Sequence, residues 1–87
     1  MPFYLHEPKP NVNTAYHVDA NKNEYFGEAP RGVETSDSKW RIWKIEYATP
    51  GDQSSSWQGK YPNGDDNPVY KWDDIETYNY YLLRTRF

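Results

Sequence analysis

The sequence predicts an all-β fold: a small antiparallel sheet or open barrel preceded by an extended N-terminal arm. Three observations carry this. The longest run of aromatic and β-branched residues, Lys39-Trp40-Arg41-Ile42-Trp43-Lys44-Ile45-Glu46-Tyr47, consists of stiff, bulky side chains that favour a pleated, half-buried surface. Shorter runs of the same kind flank it, separated by Gly, Pro, Asn and Asp. Pro2, Pro8 and Pro10 crowd the start of the chain, where each removes a backbone donor and biases its predecessor towards extended conformations.

The arm is expected over residues 1–22 and the β domain over residues 23–87. Phe3, Tyr4, Leu5, Tyr16 and Val18 make the arm less polar than a disordered tail, which has few aromatics. Two readings stand beside each other: an arm that orders on a neighbouring subunit by strand addition, and a terminus or first strand that belongs to its own domain. Asp19-Ala20-Asn21-Lys22-Asn23 reads as a turn, because Asn and Asp side chains bond their own backbone and tolerate left-handed conformations. A short strand follows at Glu24-Tyr25-Phe26. Gly27, Pro30 and Gly32 then mark a stretch that must bend or approach another backbone closely.

The run from Lys39 to Tyr47 is the spine. Trp40 and Ile42 share one parity while Trp43, Ile45 and Tyr47 share the other. Either both faces are covered or a bulge between Ile42 and Trp43 changes the inward face. A helix competes, since Trp40, Trp43 and Tyr47 also fall at helical spacing behind the candidate caps Ser36 and Asp37, but strand is the preferred reading. Ala48 to Ser56, with its Pro-Gly and serine run, reads as a mobile hairpin loop. Trp57-Gln58-Gly59-Lys60-Tyr61 should pair back on the spine with Trp57, Gly59 and Tyr61 on one face. Pro62-Asn63-Gly64-Asp65 is the strongest turn signal, since Asn-Gly supplies positive φ angles. Val69-Tyr70-Lys71-Trp72 is expected as the return strand and Asp73-Asp74-Ile75-Glu76 as a turn or one helical turn. Thr77 to Leu83 closes the sheet with Tyr78, Tyr80 and Leu82 on one face. Arg84-Thr85-Arg86-Phe87 is a basic tail ending in an aromatic.

Composition bounds the function. A chain of 87 residues holds one small domain, and at that size only about 60–65% of the unfolded surface is buried. The apolar share is 36%, with aromatic residues at 18%, so Trp and Tyr must build most of the core. Nine Tyr and four Trp exceed what so small a core hides. The surplus belongs on the surface, where such rings anchor protein interfaces or stack on sugars. The expected core or core edge is Trp40, Ile42, Trp43, Ile45, Trp57, Trp72 and Tyr78. With no Cys there is neither a disulfide scaffold nor a thiolate zinc site. A small domain without such staples points to support from a partner or an oligomer. The net charge of −3 and the scattered Lys and Arg lack the footprint of a nucleic-acid binder. No apolar run approaches a membrane span, and no signal peptide is visible, which predicts a chain made and used in a cytoplasm or exported only as part of something larger.

No residue set carries recognisable chemistry. Asp65-Asp66 with Asn63, and Asp73-Asp74 with Glu76, are the dense carboxylate groups, and turn and cap roles account for them better than Ca²⁺ or a hydrolase pair. His6 and His17 lack a second ligand at zinc spacing, and Ser54-Ser55-Ser56 lacks a fixed base. The expectation is therefore no catalytic residue, no metal and no cofactor.

One longer pattern stands out: Tyr25-x-Gly27-x-Ala29-x-x-Gly32-x-x-Thr35, then Trp40-x-Ile42-x-x-Ile45, Tyr61-x-Asn63-Gly64, Tyr70-x-Trp72-Asp73-Asp74 and Tyr78-x-Tyr80. From about Tyr25 to Leu82 it resembles a small all-β module of tailed-bacteriophage virion proteins, with Ile75-Glu76 where that module often carries an arginine. The resemblance implies a structural virion component, in many copies or as a homo-oligomer, made in the host cytoplasm and binding other virion proteins as a capsid decoration or cement protein or as a neck, tail or fibre adaptor. It implies binding and no reaction. Phe3, Tyr4, Leu5, Tyr16, Val18 and Phe87 are the expected partner-binding residues. The alternative is a carbohydrate-binding module with Trp57, Tyr61 and Tyr70 near Asp65 as its platform.

Overall fold

The computed structural model describes residues 12–83, and within them the chain forms a meander. The strands are β1 (Val12–Val18), β2 (Glu24–Pro30), β3 (Arg41–Tyr47), β4 (Trp57–Pro62) and β5 (Tyr80–Tyr81). They lie in one open sheet in the order β1-β2-β3-β4-β5, every neighbouring pair antiparallel. The spine run is therefore the central strand. No bulge interrupts it, because Gly27 faces Ile42 and Phe26 faces Trp43 in unbroken register.

Seven residues of the expected arm, 12–18, are sheet. All seven residues of β1 pair with β2, from Val12 opposite Pro30 to Val18 opposite Glu24. The first-strand reading thus describes residues 12–18, because the Asp19 turn folds them back on β2. Asp19 Oδ1 accepts the backbone N–H of Asn21 at 2.9 Å and of Asn23 at 3.0 Å, while Oδ2 accepts the Tyr25 hydroxyl at 2.9 Å. Strand β2 also runs further than expected, through Gly27 to Pro30, and this glycine marks neither a bend nor a close backbone but the packing of the Trp72 and Trp40 side chains against the strand.

Alternation gives the sheet two faces of different character. Tyr25 and Ala29 of β2 and Trp40 and Ile42 at the centre lie on the core face, buried together with Tyr70 and Ile75. The return segment supplies the cover. Tyr70 meets the spine through a single bridge to Trp40, and Trp72–Asp74 form one 3-10 turn, so the expected return strand is only a bridge. The Asn63-Gly64 turn forms with φ of 54° and 70°, but the strand that pairs with β4 is β5. Instead of continuing the sheet, residues 70–78 cross its core face, where Trp72 and Tyr78 pack at the edge of the core and Leu82 is exposed.

The polar groups of this aromatic core are satisfied. Trp40 Nε1 donates to Glu34 O at 2.9 Å, Tyr70 Oη to Pro62 O at 3.1 Å and Tyr80 Oη to Ile75 O at 2.6 Å. No buried side-chain nitrogen or oxygen among the described residues lacks a partner. Ile42 is wholly enclosed, which contributes about 1.5–3 kcal/mol relative to an exposed position. The loop from Ala48 to Ser56 is held as well: Gly51 N donates to Asn21 O at 2.8 Å and Gln53 Nε2 to Lys22 O at 3.1 Å, joining it to the β1–β2 turn.

Candidate docking surface

The second face of the sheet is where the surplus aromatics gather. By register, Tyr16, Phe26 and Trp43 form one row across β1, β2 and β3. Val18, Glu24, Ile45 and Gly59 form the next, and Tyr47 with Trp57 a third. Tyr61 and Tyr81 pair on the same face further along β4. The ring centroids of Tyr16 and Phe26 lie 5.3 Å apart, and those of Phe26 and Trp43 lie 5.7 Å apart in a near-parallel stack. Arg41 extends this ladder with its guanidinium 5.2 Å from the Trp43 ring, while Glu28 stands 3.6 Å from the same guanidinium.

Among the described residues no element crosses this face as residues 70–78 cross the other. Trp57 is 61% exposed, and Val18 and Tyr81 are exposed on the same face. The expectation of Trp57 in the core is therefore overturned, while Trp43 and Ile45 sit half-buried on the open side. At Gly59 the face lies open, since a Cβ built there meets nothing within 4 Å.

At the centre of the face lies a carboxylate clamp. Glu24 is buried, with the Tyr16 hydroxyl donating to Oε2 and the Tyr47 hydroxyl to Oε1, each at 2.6 Å. Burial and then the Glu24 contact push the Tyr16 phenol far up, and Tyr47 is pushed up to about 12, chiefly by its hydrogen bond to Glu24. The clamp fixes two rings whose polar tips are satisfied, and a rigid ring with a bonded hydroxyl is what makes Tyr effective at interfaces.

Of the partner-binding residues expected from sequence, Tyr16 and Val18 lie on this face as part of β1. Phe3, Tyr4, Leu5 and Phe87 lie outside the described residues. The sequence reading missed Glu24, Tyr47 and Gly59. The parity of Trp43, Ile45 and Tyr47 was the available signal for the face.

The expected sugar platform is not assembled. Tyr70 is buried on the opposite face from Trp57 and Tyr61, with its hydroxyl turned to Pro62 O. A shallow cleft of about 300 Å³ does open beside Trp57, lined by Glu46, Tyr47, Ala48, Ser56, Trp57 and Gln58. Register pairs Glu46 with Gln58 and Tyr47 with Trp57 at this end of the β3–β4 ladder. Glu46 is already engaged by Lys60 Nζ at 2.7 Å and Lys44 Nζ at 3.7 Å. No three His, Asp or Glu side chains among the described residues group as a metal site.

No protein-family model, no curated protein and no solved structure matches the chain.

Proposed function

We propose that this protein works by binding alone, as a structural component that docks on a neighbouring protein subunit through the aromatic face of its sheet. The observation that carries this is the division of labour between the faces. One holds the core, and the other presents Trp43, Tyr47, Trp57, Tyr61 and Tyr81 around a satisfied carboxylate clamp. Aromatic rings held rigid in this way bury large area at little entropic cost.

The setting proposed is the particle of a tailed phage, with other virion proteins as partners. Support for it rests on the motif residues from Tyr25 to Tyr80 alone, and the places open to such a chain are capsid decoration and neck, tail or fibre adaptor. The test is incorporation. The chain and a Trp57→Ser variant are supplied during assembly of the phage that encodes it, and copies in purified particles are counted by mass spectrometry. The expected result is a fixed stoichiometry for the natural chain and a loss of tenfold or more for the variant. Absence of the natural chain from particles overturns the virion setting, and equal incorporation of the variant overturns the role of the face.

A further inference from the structure

The cleft beside Trp57 is a cavity for which docking through the aromatic rows has no use. Its volume of about 300 Å³ lies at the lower end of the ~300–1,000 Å³ of small-molecule sites, which combine aromatic surface with a few placed polar groups. Its walls are already held. Ala48 N donates to Ser56 O at 2.8 Å across the base of the hairpin loop, and Thr49 N donates to Ser55 Oγ at 3.2 Å. Tyr47, opposite Trp57 in the ladder, is fixed by its hydroxyl on Glu24. A ligand therefore has little backbone to order on entering.

The lining groups have hydrogen-bonding capacity to spare. Ser56, Trp57 and Gln58 are all exposed, which leaves a hydroxyl, an indole N–H and an amide open to a ligand. Glu46 Oε2 accepts from Lys60 Nζ at 2.7 Å and Oε1 stands 3.7 Å from Lys44 Nζ, so lone pairs remain on both oxygens. The hydrogen bond from Lys60, helped by the charge of Lys44, outweighs burial and holds the Glu46 carboxyl below the usual carboxylate range, which keeps it an ionised acceptor. Two lysines beside one carboxylate also cancel the pull that an acidic, aromatic cleft would exert on a cation.

We propose that this cleft takes one ring of a neutral saccharide, with the apolar C–H surface of the sugar on the Trp57 indole and its hydroxyls bonded by Gln58, Ser56 and Glu46. The mixture of groups selects this class. An indole supplies flat apolar surface with a polar edge, an amide and a hydroxyl both donate and accept, and a carboxylate accepts only. A sugar ring answers each of them within one small body. Trp57 is retained from the platform expected from sequence, while Glu46, Ser56 and Gln58 of the β3–β4 hairpin take the places of Tyr61, Tyr70 and Asp65.

Trp57 serves both this cleft and the docking face, whereas Gln58 is no part of the aromatic rows, so the two roles are tested apart. NMR of the intact chain follows the Trp57 indole N–H and the Gln58 side-chain amide beside the indole signals of Trp40 and Trp72 during titration with maltotetraose, cellotetraose and chitotetraose. At least one of these sugars should shift the Trp57 and Gln58 signals saturably while Trp40 and Trp72 stay in place. Gln58→Ala should weaken that binding by about tenfold, and Trp57→Ala should abolish it, with the Trp40 and Trp72 signals reporting that both variants fold. No saturable shift with any of the sugars overturns the site, as does an equal shift with glycerol or an unchanged affinity in Gln58→Ala. A stronger response of the same signals to tetramethylammonium chloride overturns it in favour of a cationic ligand. Particle incorporation decides the docking reading separately.

Discussion

The six-membered ring of Trp72 lies against the backbone of Gly27, so close that a Cβ on Gly27 would stand 2.6 Å from Cε3 and 2.7 Å from Cζ3. Trp40 Cε3 would be 3.1 Å away on another side, so the glycine is enclosed by two indoles that pack on each other at 5.8 Å. A methyl group here has nowhere to go without lifting Trp72 off the core face. Gly27→Ala is expected to destabilise the fold by about 1–3 kcal/mol, the range for overpacked interiors. Urea unfolding measures it. Trp72→Leu in the same background should recover part of the loss, and strictly additive costs would mean that the two residues do not interact.

Glu24 couples Tyr16 to Tyr47, and its charge is read out by their phenols. The Tyr47 phenol, held near 12 mainly by the hydrogen bond to Glu24, should fall towards 10 when Glu24→Gln removes the negative acceptor. The folded-state value lies above the unfolded one. The stabilisation is therefore complete below about pH 10 and is lost as pH rises through the folded value. Phenolate absorbance between pH 9 and 13 at the wavelength of ionised tyrosine checks both statements. An alkaline titration identical in the two proteins would count against the clamp.

At the turn between β1 and β2 the sign is reversed. Burial pushes the Asp19 carboxyl up, but hydrogen bonds from the Tyr25 hydroxyl and from Asn23 and Asn21 outweigh it and hold the group below the usual carboxylate range. Unfolding then takes up protons, so this contribution is present above about pH 4 and disappears as pH falls through the depressed value. Asp19→Asn should cost roughly 1 kcal/mol at neutral pH. The difference between the two proteins should shrink as the denaturation series is carried below pH 4. A difference that stays constant to pH 2 would assign the loss to shape alone.

How far these relationships were legible depends on the distance over which they act. The spine, the Asp19 turn and the left-handed pair Asn63-Gly64 rest on local side-chain and backbone chemistry, and the sequence reading identified all three. Gly27 looked like punctuation beside Pro30 and Gly32, because the indole that needs its missing side chain comes from far along the chain. Turn chemistry at Asn63-Gly64 fixed a reversal but not the returning strand; β5 takes the place beside β4 while Tyr70 bridges to Trp40. The two apolar parities of the spine were visible as two faces. Which one became the core was decided by where residues 70–78 cross, a packing choice that alternation leaves open.

Gly59 separates folding from docking on the open face. It stands opposite Ile45 in the row of Glu24, two residues from Trp57, and a Cβ there would meet open space. A β-branched side chain suits a pleated strand and narrows the unfolded ensemble, so Gly59→Val should be neutral or stabilising by up to about 1 kcal/mol. The same side chain stands out from the open face beside Ile45, so anything that packs on this face loses fit. The expected pair of results is an unchanged or raised urea midpoint together with a loss of at least tenfold in particle incorporation. A Gly59→Val protein that incorporates as well as the natural chain would place the docking contact elsewhere.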